Sequence, residues 1–265
     1  MRMLDQEWID AVVQAVKAAG ALLLDPAAIE RITAKGQADF VTNVDLTVQE
    51  TLRAQLEKLA PEVHFMGEEG DRTAIDPDRP FWILDPVDGT TNLIHHFDHS
   101  AVSLALAWEG QVHFGVVYHP YRQACFTAQQ GAGAFCNGIP IQTSAVSKLE
   151  DSLISVGTVP GYRQLADEAF YQMRILYDCC QDVRRTGCAS LDLCDVACGR
   201  LDGYVELMLQ PWDYAAGLLI VTEAGGTVTA PDGAPVSLLQ GSGVLASNGR
   251  LHSAIQEKLN KSNLA

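Results

Sequence analysis

Apolar positions recur with a helical period at the start of the chain. Trp8, Ile9, Val12, Val13, Val16 and Leu22 predict an amphipathic helix over residues 5–24. Residues 32–44 read as strand, polar by turns, and a second helix follows in which Val48, Leu52, Leu56 and Leu59 repeat. Asp45 is placed to cap that helix. Residues 63–66 form a short strand leading into Gly67-Glu68-Glu69-Gly70, and a polar loop occupies 71–80. The apolar run 81–84 is too short and unpatterned for a helix and fits a buried strand. Antiparallel strands are expected at 102–108, 112–118 and 124–128, and Asn137-Gly138 is a hairpin signal between 131–135 and 139–143.

Composition changes near 144–151, which suggests two halves, 1–143 and 144–265. Beyond that point strands are expected at 153–156, 183–187, 204–208 and 243–246. They alternate with helices at 168–176, 191–198, 214–224 and 252–259, the third ended by Gly225-Gly226. Strands dominate the middle and helices alternate with strands later, so the fold class is α/β, a sandwich of several layers.

The chain has 265 residues, 48% hydrophobic, with a formal net charge of −15. That charge argues against a nucleic-acid partner and against attraction to an anionic membrane. No run of about 18 apolar residues appears, so no membrane span is expected. Asp5, Glu7 and Asp10 open the chain where a signal peptide would be basic and then apolar, so none is expected. The seven cysteines read as reduced, mostly buried thiols of a cytoplasmic protein. Cys194 and Cys198 have the spacing of two ligands on one helical face, but no His or third Cys stands close, which favours packing.

The candidate chemistry gathers at 82–92, where the apolar run ends in Asp85-Pro86-Val87-Asp88-Gly89-Thr90-Thr91-Asn92. Two acids at a strand end converge on one hard cation if the turn brings both to one side. Gly89, Thr90 and Thr91 supply backbone N–H groups and hydroxyls, and Thr91 or Asn92 could cap a following helix. An anion at such a helix start would abut the cation site. The alternative is a plain Asp-Gly turn. Glu68, and Asp213 in Pro211-Trp212-Asp213, also lie at strand ends, although Asp213 taken alone reads as an ordinary helix cap. Four carboxylates are too many for one Mg²⁺ and suit two cations sharing Asp85.

Taken together, Gly67-Glu68-Glu69, the run from Asp85 to Asn92, Trp212-Asp213-Tyr214-Ala215-Ala216-Gly217 and Thr222-Glu223-Ala224-Gly225-Gly226 resemble the signatures of the inositol monophosphatase family. The resemblance covers 35–226 and implies the layered α-β-α-β-α sandwich of inositol monophosphatase and fructose-1,6-bisphosphatase. It implies hydrolysis of inositol monophosphate without a covalent intermediate, with two to three Mg²⁺ per site. Glu68, Asp85 and the Val87 carbonyl would hold one ion, and Asp85, Asp88 and Asp213 a second. A third, looser ion would lie near Glu68. Most of these ligands lie in the half 1–143, with Asp213 and the substrate-side residues in 144–265. Thr90 with Glu68 would orient the attacking water, and Gly89 and Thr90 N–H groups would hold the phosphate. Asp88 would serve catalysis, metal and substrate together.

Gly187, Ala189, Glu206 and Asp213 would face the leaving alcohol, Glu206 accepting from vicinal hydroxyls. An exposed strand acid is the alternative for Glu206, and a solvated side chain for Lys35, which matches a lysine near the metals in relatives. Cys188 departs from the hydroxyl residue of many relatives. The resemblance further implies lithium sensitivity and a homodimer. The apolar stretches 102–106 and 114–118 add to the dimer expectation, being more than one solvent-facing sheet would want. The rival readings are a fructose-1,6-bisphosphatase or related sugar, nucleotide or histidinol phosphatase, and a regulatory binding protein with the same fold.

Overall fold

Asp5 opens helix α1 (Gln6–Gly20) by accepting from the Trp8 N–H at 2.9 Å, and Trp8, Val12, Val16 and Ala19 bury one side. A 3-10 turn, Ala21–Leu24, extends it, so the helix expected over 5–24 has a tightened end. The computed structural model describes residues 3–25, 29, 31–36, 39–70 and 75–262, so part of the loop expected at 71–80 lies outside it. β1 (Ile32–Gly36) and β2 (Asp39–Thr42) pair as an antiparallel ribbon before α2 (Asn43–Leu59).

The cap of α2 is Thr42, which corrects the expectation for Asp45. Thr42 Oγ accepts from the Val44 N–H, and Asp45, third in the helix, accepts from the Thr42 N–H at 2.8 Å. The two residues form a reciprocal capping box.

Seven strands follow in one sheet, neighbours in space as in sequence: β3 (His64–Gly67), β4 (Phe81–Asp88), β5 (Ala101–Trp108), β6 (Gln111–His119), β7 (Ala124–Gln129), β8 (Gly133–Cys136) and β9 (Ile139–Pro140). β3 runs parallel to β4 and the remaining pairs are antiparallel. Five more make a second sheet in the order β11-β10-β12-β14-β13: β10 (Leu153–Val156), β11 (Asp182–Arg184), β12 (Gly203–Leu209), β13 (Thr227–Thr229) and β14 (Ser242–Ser247).

Helices α5 (Ala189–Ala197) and α6 (Pro211–Glu223) lie between the sheets, in one core with Ile83 and Ala105 on one side and Tyr204 and Val244 on the other. α1 and α2 cover the outer face of the first sheet, and α4 (Ala166–Tyr177) and α7 (His252–Ser262) that of the second. The layers are therefore α-β-α-β-α. The first sheet ends at Pro140 and the second begins at Leu153, yet α6 packs on β4, β5, β6 and β7.

Burial on both faces explains the apolar stretches of β5 and β6. Val102, Leu104, Leu106, Phe114 and Val116 enter the core under α1 and α2, while Ala101, Ala105, Ala107 and Val117 enter the core under α6. Those stretches are consumed inside the chain, so their support for a dimer is withdrawn. An antiparallel sheet covered on both sides loses its polar face and reads as a continuous apolar run.

Other departures are local. The strand expected over 183–187 stops at Arg184, and Gly187 turns the chain at φ +87°. The helix expected to start at 214 starts at Pro211, which suits a first helical turn. β13 was not anticipated, being three residues with one apolar side chain. All seven cysteines are free; Cys125, Cys188 and Cys194 are buried and the other four half-buried. Among the described residues no helix is long and apolar enough to cross a membrane.

Small residues face α6 because the helix rides close to the sheet. A Cβ on Gly115 of β6 would stand 3.0 Å from the Ala216 carbonyl oxygen and 3.1 Å from its Cα, both backbone. Gly115→Val should therefore cost about 1–3 kcal/mol of stability by overpacking. An unchanged urea midpoint would refute this close approach.

Candidate active site

The register of β3 and β4 sets the site. Gly67 pairs with Leu84, so Glu68 emerges beside Asp85, and its N–H donates to Leu84 O at 3.0 Å. Asp85 Oδ1 accepts from the Val87 N–H at 2.9 Å across Pro86, and the β4–β5 ladder is irregular between Asp85 and Asp88. That irregularity lets both acids reach one side despite the strand's alternation. Asp88 Oδ2 accepts from the Ser190 N–H at 2.6 Å and the Cys188 thiol at 3.1 Å.

Gly89 follows in the left-handed region, φ +85° and ψ 40°. A Cβ there would sit 3.1 Å from His99 O and 3.2 Å from Gly187 O, so both conformation and space demand glycine. It also opens α3 (Thr90–Ile94), which places Thr91 and Asn92 inside the helix and not at its cap. No side chain caps α3, and its five residues make a small dipole, so N–H groups matter more than dipole here. Asp213 is likewise inside a helix, third in α6, and accepts from the Gln210 N–H at 2.6 Å; Gln210 is the cap.

Every site residue expected from the sequence borders one cleft of about 700 Å³: Glu68, Asp85, Val87, Asp88, Gly89, Thr90, Gly187, Ala189, Glu206 and Asp213, with Lys35. Asp85 and Asp88 are 2% and 8% exposed. Burial holds the Asp85 carboxyl well above the usual range, and repulsion from Glu68, Asp88 and Asp213 adds to it. Asp213 is raised likewise, by burial and then by Asp88. Burial also lifts Glu68 to about 7, against the pull of Lys35.

Lys35 Nζ donates to Glu68 Oε1 at 3.0 Å and to Glu69. Its own burial works to lower its pKa, but the two glutamates prevail and raise it. The lysine is therefore an ion-paired cation within the acid cluster. Among the described residues no three His, Cys, Asp or Glu side chains already form a ready-made metal shell. The donor chemistry nevertheless fits a hard divalent cation: several buried carboxyl oxygens that repel one another and otherwise retain protons.

Glu206 is buried and not the exposed strand acid that was its alternative. Its Oε1 accepts from the Val159 N–H at 3.0 Å and its Oε2 from Tyr204 OH at 2.5 Å. Burial raises its pKa, and the two hydrogen bonds counter part of the rise. Sequence reasoning missed these donors, and also Ser190, the Cys188 thiol and Asn92. Asn92 Nδ2 donates to His99 O at 2.7 Å and Thr186 O at 3.0 Å. Tyr204 carried a readable signal, since residues two apart on a strand share a face.

Clustered acids beside a glycine-led helix start, in a five-layered α/β sandwich, make a site suited to metal-assisted phosphate chemistry. The chain belongs to the inositol monophosphatase family, whose sequence profile matches residues 4–264, and members of that family are metal-dependent. It is 39% identical over 257 residues to the inositol-1-monophosphatase of Synechocystis sp., covering 96% of this chain and 89% of that protein. It is 38% identical to the Nus factor SuhB of Escherichia coli K12, covering 93% of each. The crystal structure of the extragenic suppressor protein suhB from Bartonella henselae superposes with a TM-score of 0.89 at 34% identity, over 96% of this chain and 98% of that one.

The raised acids make a stability prediction. In the metal-free fold Glu68, Asp85 and Asp213 keep protons that the unfolded chain releases near pH 4. Metal-free stability therefore falls as pH rises from there through about 7, where Glu68 ionises, and the raised Asp85 and Asp213 carboxyls act in the same direction. A divalent cation replaces those protons, so Mg²⁺ should raise the melting temperature more at pH 8 than at pH 5.5. A shift equal at the two pH values, or none, would contradict the acid cluster as the cation site.

Proposed function

We propose that this chain hydrolyses inositol monophosphate to inositol and phosphate by direct attack of water. The observation that carries the reading is the convergence of Glu68, Asp85, Asp88 and Asp213 on one cleft, with Gly89 and Thr90 at its edge. In this reading Glu68, Asp85 and the Val87 carbonyl hold one Mg²⁺, Asp85, Asp88 and Asp213 hold a second, and a looser third lies near Glu68. Bound Mg²⁺ neutralises phosphate oxygens and lowers the pKa of the attacking water.

The chain's own groups do the rest. Gly89 and Thr90 N–H groups seat the phosphate. Thr90 Oγ lies 3.1 Å from Asp45 Oδ1 and 3.0 Å from Val87 O, and its single hydrogen goes to one of them. The hydroxyl oxygen then keeps lone pairs with which to hold the water. Glu68, held ionised by the cation and by Lys35, accepts a hydrogen bond from that water and orients it together with Thr90. Asp88 is kept in one orientation by Ser190 and Cys188 while it serves the second ion.

On the alcohol side stand Gly187 and Ala189, at the start of α5, and Glu206. Tyr204 and Val159 take two of the roughly four acceptor sites of the Glu206 carboxylate, which leaves others for vicinal hydroxyls.

A second reading, a regulatory binding protein that keeps the fold, draws on the name Nus factor carried by the Escherichia coli relative. The acid cluster favours hydrolysis over binding alone. With Mg²⁺, Asp85→Asn should lose nearly all turnover, because both ions share that carboxylate; near-normal turnover would exclude the two-ion reading. Glu206→Gln should lower kcat/KM for inositol 1-phosphate by roughly ten- to a hundredfold, the equivalent of about 1.5–3 kcal/mol. Turnover of p-nitrophenyl phosphate, which has no vicinal hydroxyls, should scarcely change. Equal loss on both substrates would assign Glu206 to support of the fold or the ion site.

A further inference from the structure

Asp192, in the first turn of α5, borders the same cleft but has no part in the chemistry above. It is 3% exposed. Its carboxyl is used unevenly: Oδ2 accepts from Thr186 Oγ at 2.8 Å, while Oδ1 is buried and has no partner. Asp195 on its own helix and Glu206 and Tyr204 on β12 act against its charge. The Arg185 guanidinium lines the same cleft and acts on Glu206, and the hydroxyls of Thr186 and Ser155 face the carboxyl and offset part of the effect of burial. An ionised oxygen buried among acids without a donor is costly. A protonated one is satisfied by a single acceptor. Ser155 Oγ faces the carboxyl, and because its own hydrogen goes to Arg184 O at 3.3 Å it has lone pairs free to take such a proton.

The segment that Asp192 fastens is the one that grips the proposed catalytic loop. Thr186 O accepts from Asn92, Gly187 O crowds Gly89, and Cys188 and Ser190 hold the Asp88 carboxylate. We propose that Asp192 is a positioning residue kept as a neutral carboxylic acid, bridging Ser155 and Thr186 so that residues 186–190 hold Asp88 and the Gly89 turn in place. Burial above all pushes its pKa up to about 8, so the acid form prevails at neutral pH. Ionisation places a charge beside Glu206 and turns the Ser155 hydrogen away from Arg184 O, which loosens the segment.

Asp192→Asn tests this, because the amide keeps an acceptor for Thr186 and a donor for Ser155 and never ionises. With Mg²⁺ and inositol 1-phosphate, D192N should match wild type near neutral pH and keep its activity above pH 8, where wild type declines. D192A should lose roughly ten- to a hundredfold, in kcat more than in KM. Those two arms rest on the proposed phosphatase reading, and a third does not. The melting temperature of Mg²⁺-loaded D192N minus that of wild type should rise between pH 5 and pH 8. Folded wild type keeps an Asp192 proton that its unfolded chain has released, so only wild type loses that increment of stability across the window. The proposal is overturned if D192N is as impaired as D192A, if D192A matches wild type, or if the melting difference is flat with pH. Should D192A fail to fold, D192N against wild type decides. Should no phosphate ester be hydrolysed, the melting difference decides alone.

Discussion

Carboxyl groups held out of water within reach of one another's charge are the constraint on which this molecule turns. Glu68, Asp85 and Asp213 each sit where burial disfavours ionisation and neighbouring acids disfavour it further. Flexible loops would relieve such crowding by moving apart. Here the acids cannot, because β3 and β4 are paired in register, β4 is buried along its whole length, and Asp213 is pinned in the first turn of α6. The scaffold keeps the repulsion in place, and only a proton, the Lys35 ammonium or a metal cation can relieve it.

The rigidity comes from layering. α6 supplies Asp213 at its first turn and packs along its body on β4, β5, β6 and β7, so the helix that carries one acid rests on the strand that carries two others. Small side chains at Ala101, Ala105, Ala107 and Gly115 let it approach, and larger ones on the opposite face of the sheet fill the space under α1 and α2. The geometry of the acids is thus a packing property as much as a motif.

How much of this was legible in the sequence depended on whether the cause was local. Helical periodicity around Trp8 and Leu52, the Asn137-Gly138 hairpin and the acids after the apolar run at 81–84 were readable because neighbours in sequence determine them. Thr42 and Asp45 belong to one capping box, and a box contains two plausible caps, so the wrong one was chosen. Gly89 starts α3 from a left-handed conformation that Gly allows without any polar cap, which shifted that helix start. The apolar strands β5 and β6 suggested a second copy because pattern alone cannot say what covers a sheet face. The donors to Asp88 and Glu206 from Ser190 and Val159 are backbone N–H groups, which no side-chain pattern encodes. Asp192 was invisible for a related reason: of the two acids in α5, Asp192 and Asp195, the pattern does not say which is buried until the surroundings are known.

The arrangement of α6 also bears on how the chain comes to be folded. The strands it covers are complete at Cys136, but the helix itself ends at Glu223, about ninety residues later. At a synthesis rate of about 5–20 residues per second, one face of the first sheet emerges on the order of ten seconds before its cover. During that interval Ala101, Ala105, Ala107, Val117 and Phe126 have no layer to pack against. A nascent chain in this state presents a sticky apolar surface to whatever surrounds the ribosome, and its fate depends on what shelters it until the last third arrives.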